Sequence, residues 1–312
     1  MKRIFSLLAA LLTAAALHAS EEAITLCTST GEIHGKLMLP ESTLPCPVVL
    51  IIAGSGPTDM NGNSIGAGIS NNSLLYLAQE LAANGIATVR YDKRGIGTSS
   101  AAGCKEEELR FDHYIDDAAA WADKLANDKR FSKVIIAGHS EGSLIGMIAA
   151  SHSKAVKAYI SISGCGSPAY EILEQQLQSQ PAQLQEESAA ICKELREGHT
   201  VEQIPFYLAA LYRRSVQPYL ISWFRYNPAQ EIAKLNIPVL IVQGDKDIQV
   251  SVEEAEKLYS AQPAASLHII ENMNHILKQC DTTDQMKQLA TYSNPDLPIK
   301  AELVSHIVEF IK

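Results

Sequence analysis

The sequence predicts an α/β protein whose mainly parallel sheet carries helices on both faces. Three observations predict it. Short apolar runs alternate with longer stretches of helical periodicity along most of the 312 residues. Residues 48–53 are apolar at every position, as a strand buried on both faces requires. Neither an internal repeat nor a low-complexity block interrupts the pattern, and the length allows a large core within one α/β domain.

The elements follow in order. Residues 23–28 and 34–39 flank Thr30-Gly31 and predict an opening hairpin. After the strand 48–53 comes a Gly/Asn-rich loop through Asn61-Gly62-Asn63 to Gly68. Leu74, Leu75, Ala78 and Leu81 fall at helical spacing, so 70–84 predicts a helix that ends at Asn84-Gly85. Strand 86–91, an amphipathic helix over 112–128, strand 134–137, helix 140–151 and strand 158–163 continue the alternation. It then breaks. Residues 168–232 are rich in Gln, Glu, Leu and Tyr and carry no strand signal. Four helical stretches, 170–178, 182–197, 201–214 and 219–226, predict a helical insertion between two strands. Strand 239–243, helix 252–261, strand 266–270 and a closing helix over 300–311 resume the pattern. The polar segment 281–298 holds two prolines and predicts a loop or a short helix.

The first residues have a different character. Lys2 and Arg3 precede an apolar stretch over 4–17, and Leu17-His18-Ala19 before Ser20 offers a small-residue cleavage site. This is the layout of a secretory signal peptide. The apolar stretch is shorter than the ~20 residues that a spanning helix needs. Cys27 follows Ile24-Thr25-Leu26, without the small residue expected before a lipidated cysteine. The expectation is cleavage after Ala19, an exported (periplasmic or secreted) protein, a domain over 20–312 and no stable membrane insertion after cleavage. Removal of Lys2 and Arg3 takes the formal net charge from −9 to −11. An acidic chain without basic clusters excludes nucleic acid as an evident partner. The six cysteines permit disulfides in an exported protein, but sequence leaves their pairing open. They show no CxxC or CxxH spacing, so no zinc site is expected.

Gly138-His139-Ser140-Glu141-Gly142 is a G-x-S-x-G string between an apolar strand and a helix with small residues. That setting suits a nucleophilic serine on a sharp strand-to-helix turn, where the helix N-terminus favours a developing anion. A serine hydroxyl needs a general base, and the base needs an orienting carboxylate. Both belong on loops at the carboxyl ends of later strands. Strand 239–243 ends in Gly244-Asp245-Lys246-Asp247, and strand 266–270 ends in Glu271-Asn272-Met273-Asn274-His275. Asp245 competes with Asp247 for the acid. Among the nine histidines, His275 follows the end of strand 266–270. His34 and His268 lie within strands, and His139 neighbours the nucleophile and helps shape its turn. The anion also needs two backbone N–H donors, one from Glu141 and one from the loop Gly54-Ser55-Gly56.

On these residues the chain resembles serine hydrolases of the α/β-hydrolase superfamily, and among them bacterial carboxylesterases. Gly54 to Asp59 with Asn61-Gly62-Asn63 is similar to that subgroup's loop after the third strand. Tyr91-Asp92-Lys93-Arg94-Gly95-Ile96-Gly97-Thr98-Ser99 is similar to the superfamily's D-x-R-G-x-G-x-S turn, with Asp92 and Arg94 as a structural pair. The resemblance covers nearly the whole chain after the leader. It implies the α/β-hydrolase fold, with an eight-stranded, mostly parallel sheet and a helical lid over 168–232. It selects Asp247, three residues after Gly244, so the implied triad is Ser140, Asp247 and His275. It places the second oxyanion donor at Ser55, with Gly56 as the competing position, because Ala53 stands where the family often has His. The implied activity is hydrolysis of small to medium acyl esters through an acyl-enzyme, with neither metal nor organic cofactor. The implied partner is a small-molecule ester; the oligomeric state stays open. Two other readings compete: a serine aminopeptidase of the prolyl-aminopeptidase type, with lid glutamates holding a free amine, and a binding protein on the hydrolase fold. Mass spectrometry of protein from the native host should find Ser20 at the N-terminus; an intact Met1-Lys2-Arg3 would overturn the expected export.

Overall fold

The computed structural model describes residues 20–41 and 45–312, so the leader expected over 1–19 lies outside the described residues. The eight strands are β1 (Ser20–Thr28), β2 (Gly31–Leu39), β3 (Cys46–Ile52), β4 (Ala87–Tyr91), β5 (Phe131–His139), β6 (Val156–Ile162), β7 (Val239–Gly244) and β8 (Ser266–Ile270). They form one sheet in the order β1-β2-β4-β3-β5-β6-β7-β8. The opening hairpin pairs antiparallel, and β2 meets β4 antiparallel. Every other pairing is parallel. The α/β-hydrolase architecture implied by the sequence is therefore the one observed.

Period-two alternation explains why β3 is apolar throughout. Val48, Leu50 and Ile52 enter one hydrophobic cluster, while Val49, Ile51 and Ala53 enter the cluster on the opposite face. The helices before the insertion are α1 (Ser73–Ala83), α2 (Phe111–Ala126) and α3 (Glu141–His152). Between β6 and β7 lie α4 (Ala169–Gln176), α5 (Ala182–Arg196), the single turn α6 (Ala209–Tyr212), α7 (Gln217–Trp223) and α8 (Pro228–Ile232). After β7 come α9 (Val252–Ala261), α10 (Gln285–Tyr292) and α11 (Ala301–Ile311). Helices α1 and α11 cover one face of the sheet with Leu77, Leu81, Leu303 and Ile307. Helices α2, α3 and α9 cover the other, where the fully buried Trp121 packs against Tyr91 at 5.5 Å between ring centroids.

Two expectations need correction. The stretch 201–214 is not one helix: it holds a 3-10 turn at Phe206–Leu208 and then α6. Pro205 lacks an N–H and pushes Ile204 out of the helical region, so the periodicity there has no continuous backbone to act on. Asp92 and Arg94 do not pair with each other. Asp92 accepts hydrogen bonds from the Met60 N–H and the Thr98 N–H, both at 2.7 Å. Arg94 instead reaches α2 and grips Asp117 through two bonds of 2.7 and 2.6 Å. Their shared motif thus serves two separate fastenings. The segment 281–298 does contain a short helix, α10, where the Asp284 side chain accepts from the Lys287 N–H. All six cysteines are among the described residues and are unpaired.

Candidate active site

Ser140 sits between the last residue of β5 and the first of α3 with φ 56° and ψ −123°. A non-glycine residue in that region is held there by its surroundings. The Ser140 N–H donates to the Ile162 carbonyl at 2.9 Å, and the Ser143 N–H donates to the Ser140 carbonyl at 2.9 Å. The flanking glycines let strand and helix meet: a Cβ on Gly138 would strike the Gly142 carbonyl, and one on Gly142 would lie 2.7 Å from the Ala53 carbonyl oxygen.

Asp247 and His275 are brought together from the loops after β7 and β8. His275 Nδ1 lies 2.7 Å from Asp247 Oδ2. The other carboxylate oxygen of Asp247 accepts from the Gln249 and Val250 N–H groups at 2.8 and 2.9 Å, and Gln243 Nε2 donates to Oδ2 at 3.0 Å. Burial pushes this carboxyl up, but His275 and the two N–H donors outweigh it, and Asp247 stays below its ordinary range. With Nδ1–H given to Asp247, His275 Nε2 keeps its lone pair. Ser140 and His275 line the same cavity. Asp245 is used differently: it accepts from the Asn272 N–H at 2.6 Å and pairs with Lys246 at 2.7 Å, which fixes the turn.

His139 packs its ring 4.9 Å from that of His275, and its Nε2 lies 2.7 Å from the His275 carbonyl. A carbonyl only accepts, so Nε2 carries the proton. Burial, and then the neighbouring His275, lower its pKa to about 4. A neutral His139 therefore braces the His275 backbone without adding charge beside the ring.

Of the expected oxyanion donors, Glu141 directly follows Ser140, and Ser55 lines the same cavities as Ser140. Glu141 N is the first N–H of α3, a group with no partner within its own helix. The Gly54 backbone lies so close that a Cβ there would stand 3.1 Å from Ser140 Cβ. Lys93 Nζ donates to the Gly54 carbonyl at 2.6 Å. In a trans peptide the N–H points opposite the carbonyl, so this bond turns the Ser55 N–H away from Lys93. Lys93 also donates to Glu141 Oε2 at 2.9 Å, and the Tyr219 hydroxyl of α7 donates to Glu141 Oε1 at 2.5 Å. All three side chains are buried. Sequence reasoning missed the Lys93–Glu141–Tyr219 cluster. The only signal was a lysine inside an otherwise structural turn.

Two cavities meet at Ser55, Ser140 and Gln249. One, of ≈ 270 Å³, is largely apolar and lies under the insertion, lined among others by Leu144, Ile172, Leu211, Leu220 and Trp223. The other, of ≈ 170 Å³, contains His275 and is lined by Thr58, Ser64, Asn71, Ser73 and Tyr292. Neither the five glutamates of α4 and α5 nor Glu197 just beyond α5 lines either cavity.

Known proteins resemble this chain in sequence and in fold. A family model described as serine aminopeptidase, S33, matches residues 65–216, which contain Ser140 but neither Asp247 nor His275. The esterase EstD of Thermotoga maritima is 28% identical over 260 residues, 78% of this chain. The chain spans 58% of that esterase's length. Among solved structures, Est1E from Butyrivibrio proteoclasticus superposes with a TM-score of 0.60 at 20% identity, covering 93% of this chain and 98% of that one. The Pyrococcus furiosus esterase Pf2001 superposes with 0.58 at 16% identity, covering 94% and 90%.

Two outcomes follow from the geometry. In the unfolded chain His139 binds a proton below about pH 6.5, whereas in the folded protein it does so only below about 4. Acid therefore favours unfolding across that window. Stability in urea should fall by about 3 kcal/mol between pH 7 and pH 4 through this residue, and His139→Asn should flatten that part of the profile. Lys93→Met should lower stability by about 3 kcal/mol or more, because the Glu141 carboxylate would stay buried without its cation. The double variant Lys93→Met/Glu141→Gln, measured by the same denaturation, should recover part of that loss.

Proposed function

We propose that the chain, which has the α/β-hydrolase fold, is a serine carboxylesterase acting on small to medium acyl esters. The observation that carries this reading is the Asp247–His275 pair, bonded at 2.7 Å and opening on the cavity that holds Ser140. The match to an esterase over 78% of this chain supports it.

The acyl group occupies the apolar cavity. His275 Nε2 takes the proton from Ser140 Oγ as that oxygen attacks the ester carbonyl carbon. The carbonyl oxygen becomes an oxyanion held by the N–H groups of Ser55 and Glu141. Asp247 holds the imidazole in the required tautomer and stabilises the imidazolium. His275 then gives its proton to the alkoxide, the C–O bond breaks and the alcohol leaves. A water that loses its proton to His275 attacks the acyl-enzyme, and Ser140 Oγ recovers the proton as the acid departs. The helical segment over 168–232 acts as the lid above the acyl cavity. Export follows the leader-like residues Lys2 to Ala19.

The family model's description favours a second reading, aminopeptidase chemistry. A free amine needs a free carboxylate near the scissile bond. Among the described residues Glu141 is the only Asp or Glu that lines the two cavities, and both its oxygens are engaged by Lys93 and Tyr219. The ester reading fits the site better. Wild-type protein should hydrolyse p-nitrophenyl acetate and Ser140→Ala should lose about 10⁴-fold or more in kcat. Unchanged activity in Ser140→Ala would overturn the assignment, and faster turnover of aminoacyl-naphthylamides than of acyl esters would move it to the peptidase.

A further inference from the structure

The two cavities differ in chemistry, and the reaction decides which half of the ester each receives. His275 must hand its proton to the departing oxygen, so the alcohol half leaves on the His275 side. His275 lines the smaller cavity and not the apolar one, whereas Ser140 and Ser55 line both. Resting on the esterase reading, we propose that the smaller cavity is a subsite for a polyhydroxylated alcohol, such as a sugar or glycerol.

Its walls are neutral and rich in hydroxyl groups. Among the described residues no Asp, Glu, Lys or Arg lines it, so it holds no fixed charge to pair with a phosphate or an ammonium group. The Tyr292 hydroxyl accepts from Gln249 Nε2 at 2.7 Å, which leaves its own proton to donate. The Thr58 hydroxyl donates to the Ser55 carbonyl at 2.8 Å, so it receives the proton of Ser64 at 2.9 Å, and the Ser64 oxygen keeps its acceptor capacity. Ser73, another hydroxyl-bearing residue, lines the same space. A ligand meeting this wall needs donors and acceptors at once, which neighbouring hydroxyls of a polyol supply and an alkyl chain does not. Leaving such groups unpaired against an alkyl alcohol would disfavour it.

The wall is also built in advance. Asp59 Oδ1 accepts from the N–H groups of Asn61 and Asn63, both at 2.8 Å. Asn63 Oδ1 accepts from the Asn71 and Asn72 N–H groups at 2.8 and 2.9 Å, and the Asn71 side chain accepts from the Ser73 N–H at 2.9 Å. Asn72 holds φ 55°, a left-handed position that asparagine tolerates. This chain of asparagines fixes Ser64 and Ser73 before any ligand arrives, which spares the ligand the cost of ordering them.

The test compares three butyrates with the full-length protein: p-nitrophenyl butyrate, hexyl butyrate and a monobutyryl glucose. Wild type should favour the glucose ester over the hexyl ester by about 10-fold or more in kcat/KM. Tyr292→Phe and, on a separate element, Ser73→Ala should each reduce that preference by about 5- to 10-fold. A preference for the hexyl ester, or a ratio unmoved by both substitutions, overturns the subsite while p-nitrophenyl butyrate turnover upholds the esterase. Inertness towards all three esters overturns the esterase reading and the subsite with it.

Discussion

The geometry around Ser140 depends on one buried charge. Lys93 leaves the end of β4 and reaches the Gly54 carbonyl at 2.6 Å and the Glu141 carboxylate at 2.9 Å, while its ammonium sits 4.8 Å from the centre of the Tyr114 ring. Three separate pieces of backbone are thereby referenced to a single atom: the loop after β3, the start of α3 and, through Tyr219, helix α7. A buried ion pair of this kind adds little net stability over an apolar substitute, since both charges lose their water. What it supplies is orientation. The Gly54–Ser55 peptide has one rotation that satisfies Lys93, and that rotation turns the Ser55 N–H away from it.

The elbow sets the second constraint. The parallel sheet brings the start of α3 against the end of β3, and only backbone without Cβ fits there, which is why Gly138 and Gly142 flank Ser140. Behind the turn, Ser143 Oγ bonds to the hydroxyls of Tyr159 and Ser161, both at 2.8 Å, so that even the polar groups beneath the helix are satisfied internally. The strained φ of Ser140 is held by this packing on every side. Strain confined to one residue and supported by a rigid sheet is how a small side chain can be held proud of the surface.

The fold was legible because its signals are repetitive. The central strands show as apolar runs and the opening hairpin as two segments about Thr30-Gly31, and outside 201–232 the element boundaries lie within a few residues of each expected place. Ser140, the Asp245/Asp247 pair and His275 stood out because each follows a strand end, where an α/β sheet presents its functional loops. Choosing Asp247 over Asp245 needed the family resemblance, since both are polar residues in the same turn; the hydrogen bonds now separate them. Lys93, Tyr219 and the Glu141 side chain were not legible. Their contacts join positions 48 and 78 residues apart, and no periodicity encodes a contact between a turn, an elbow and an inserted helix. The break at Pro205 was visible in the sequence, but helical composition over 201–214 outweighed it.

The histidine pair shows how local burial divides the work between two like residues. His139 and His275 lie ring against ring, so two imidazolium ions could not coexist there without strong repulsion. Burial and the neighbouring His275 ring keep His139 neutral, and the contact to the His275 carbonyl fixes its proton on Nε2. Asp247 lies against the opposite nitrogen of His275, with its own charge secured by Gln243 and two backbone N–H groups. The arrangement leaves room for one positive charge, on His275, with a carboxylate beside it to receive that charge. In the proposed ester hydrolysis a proton taken from Ser140 therefore has one place to go, the His275 Nε2, and it returns from there to the leaving oxygen.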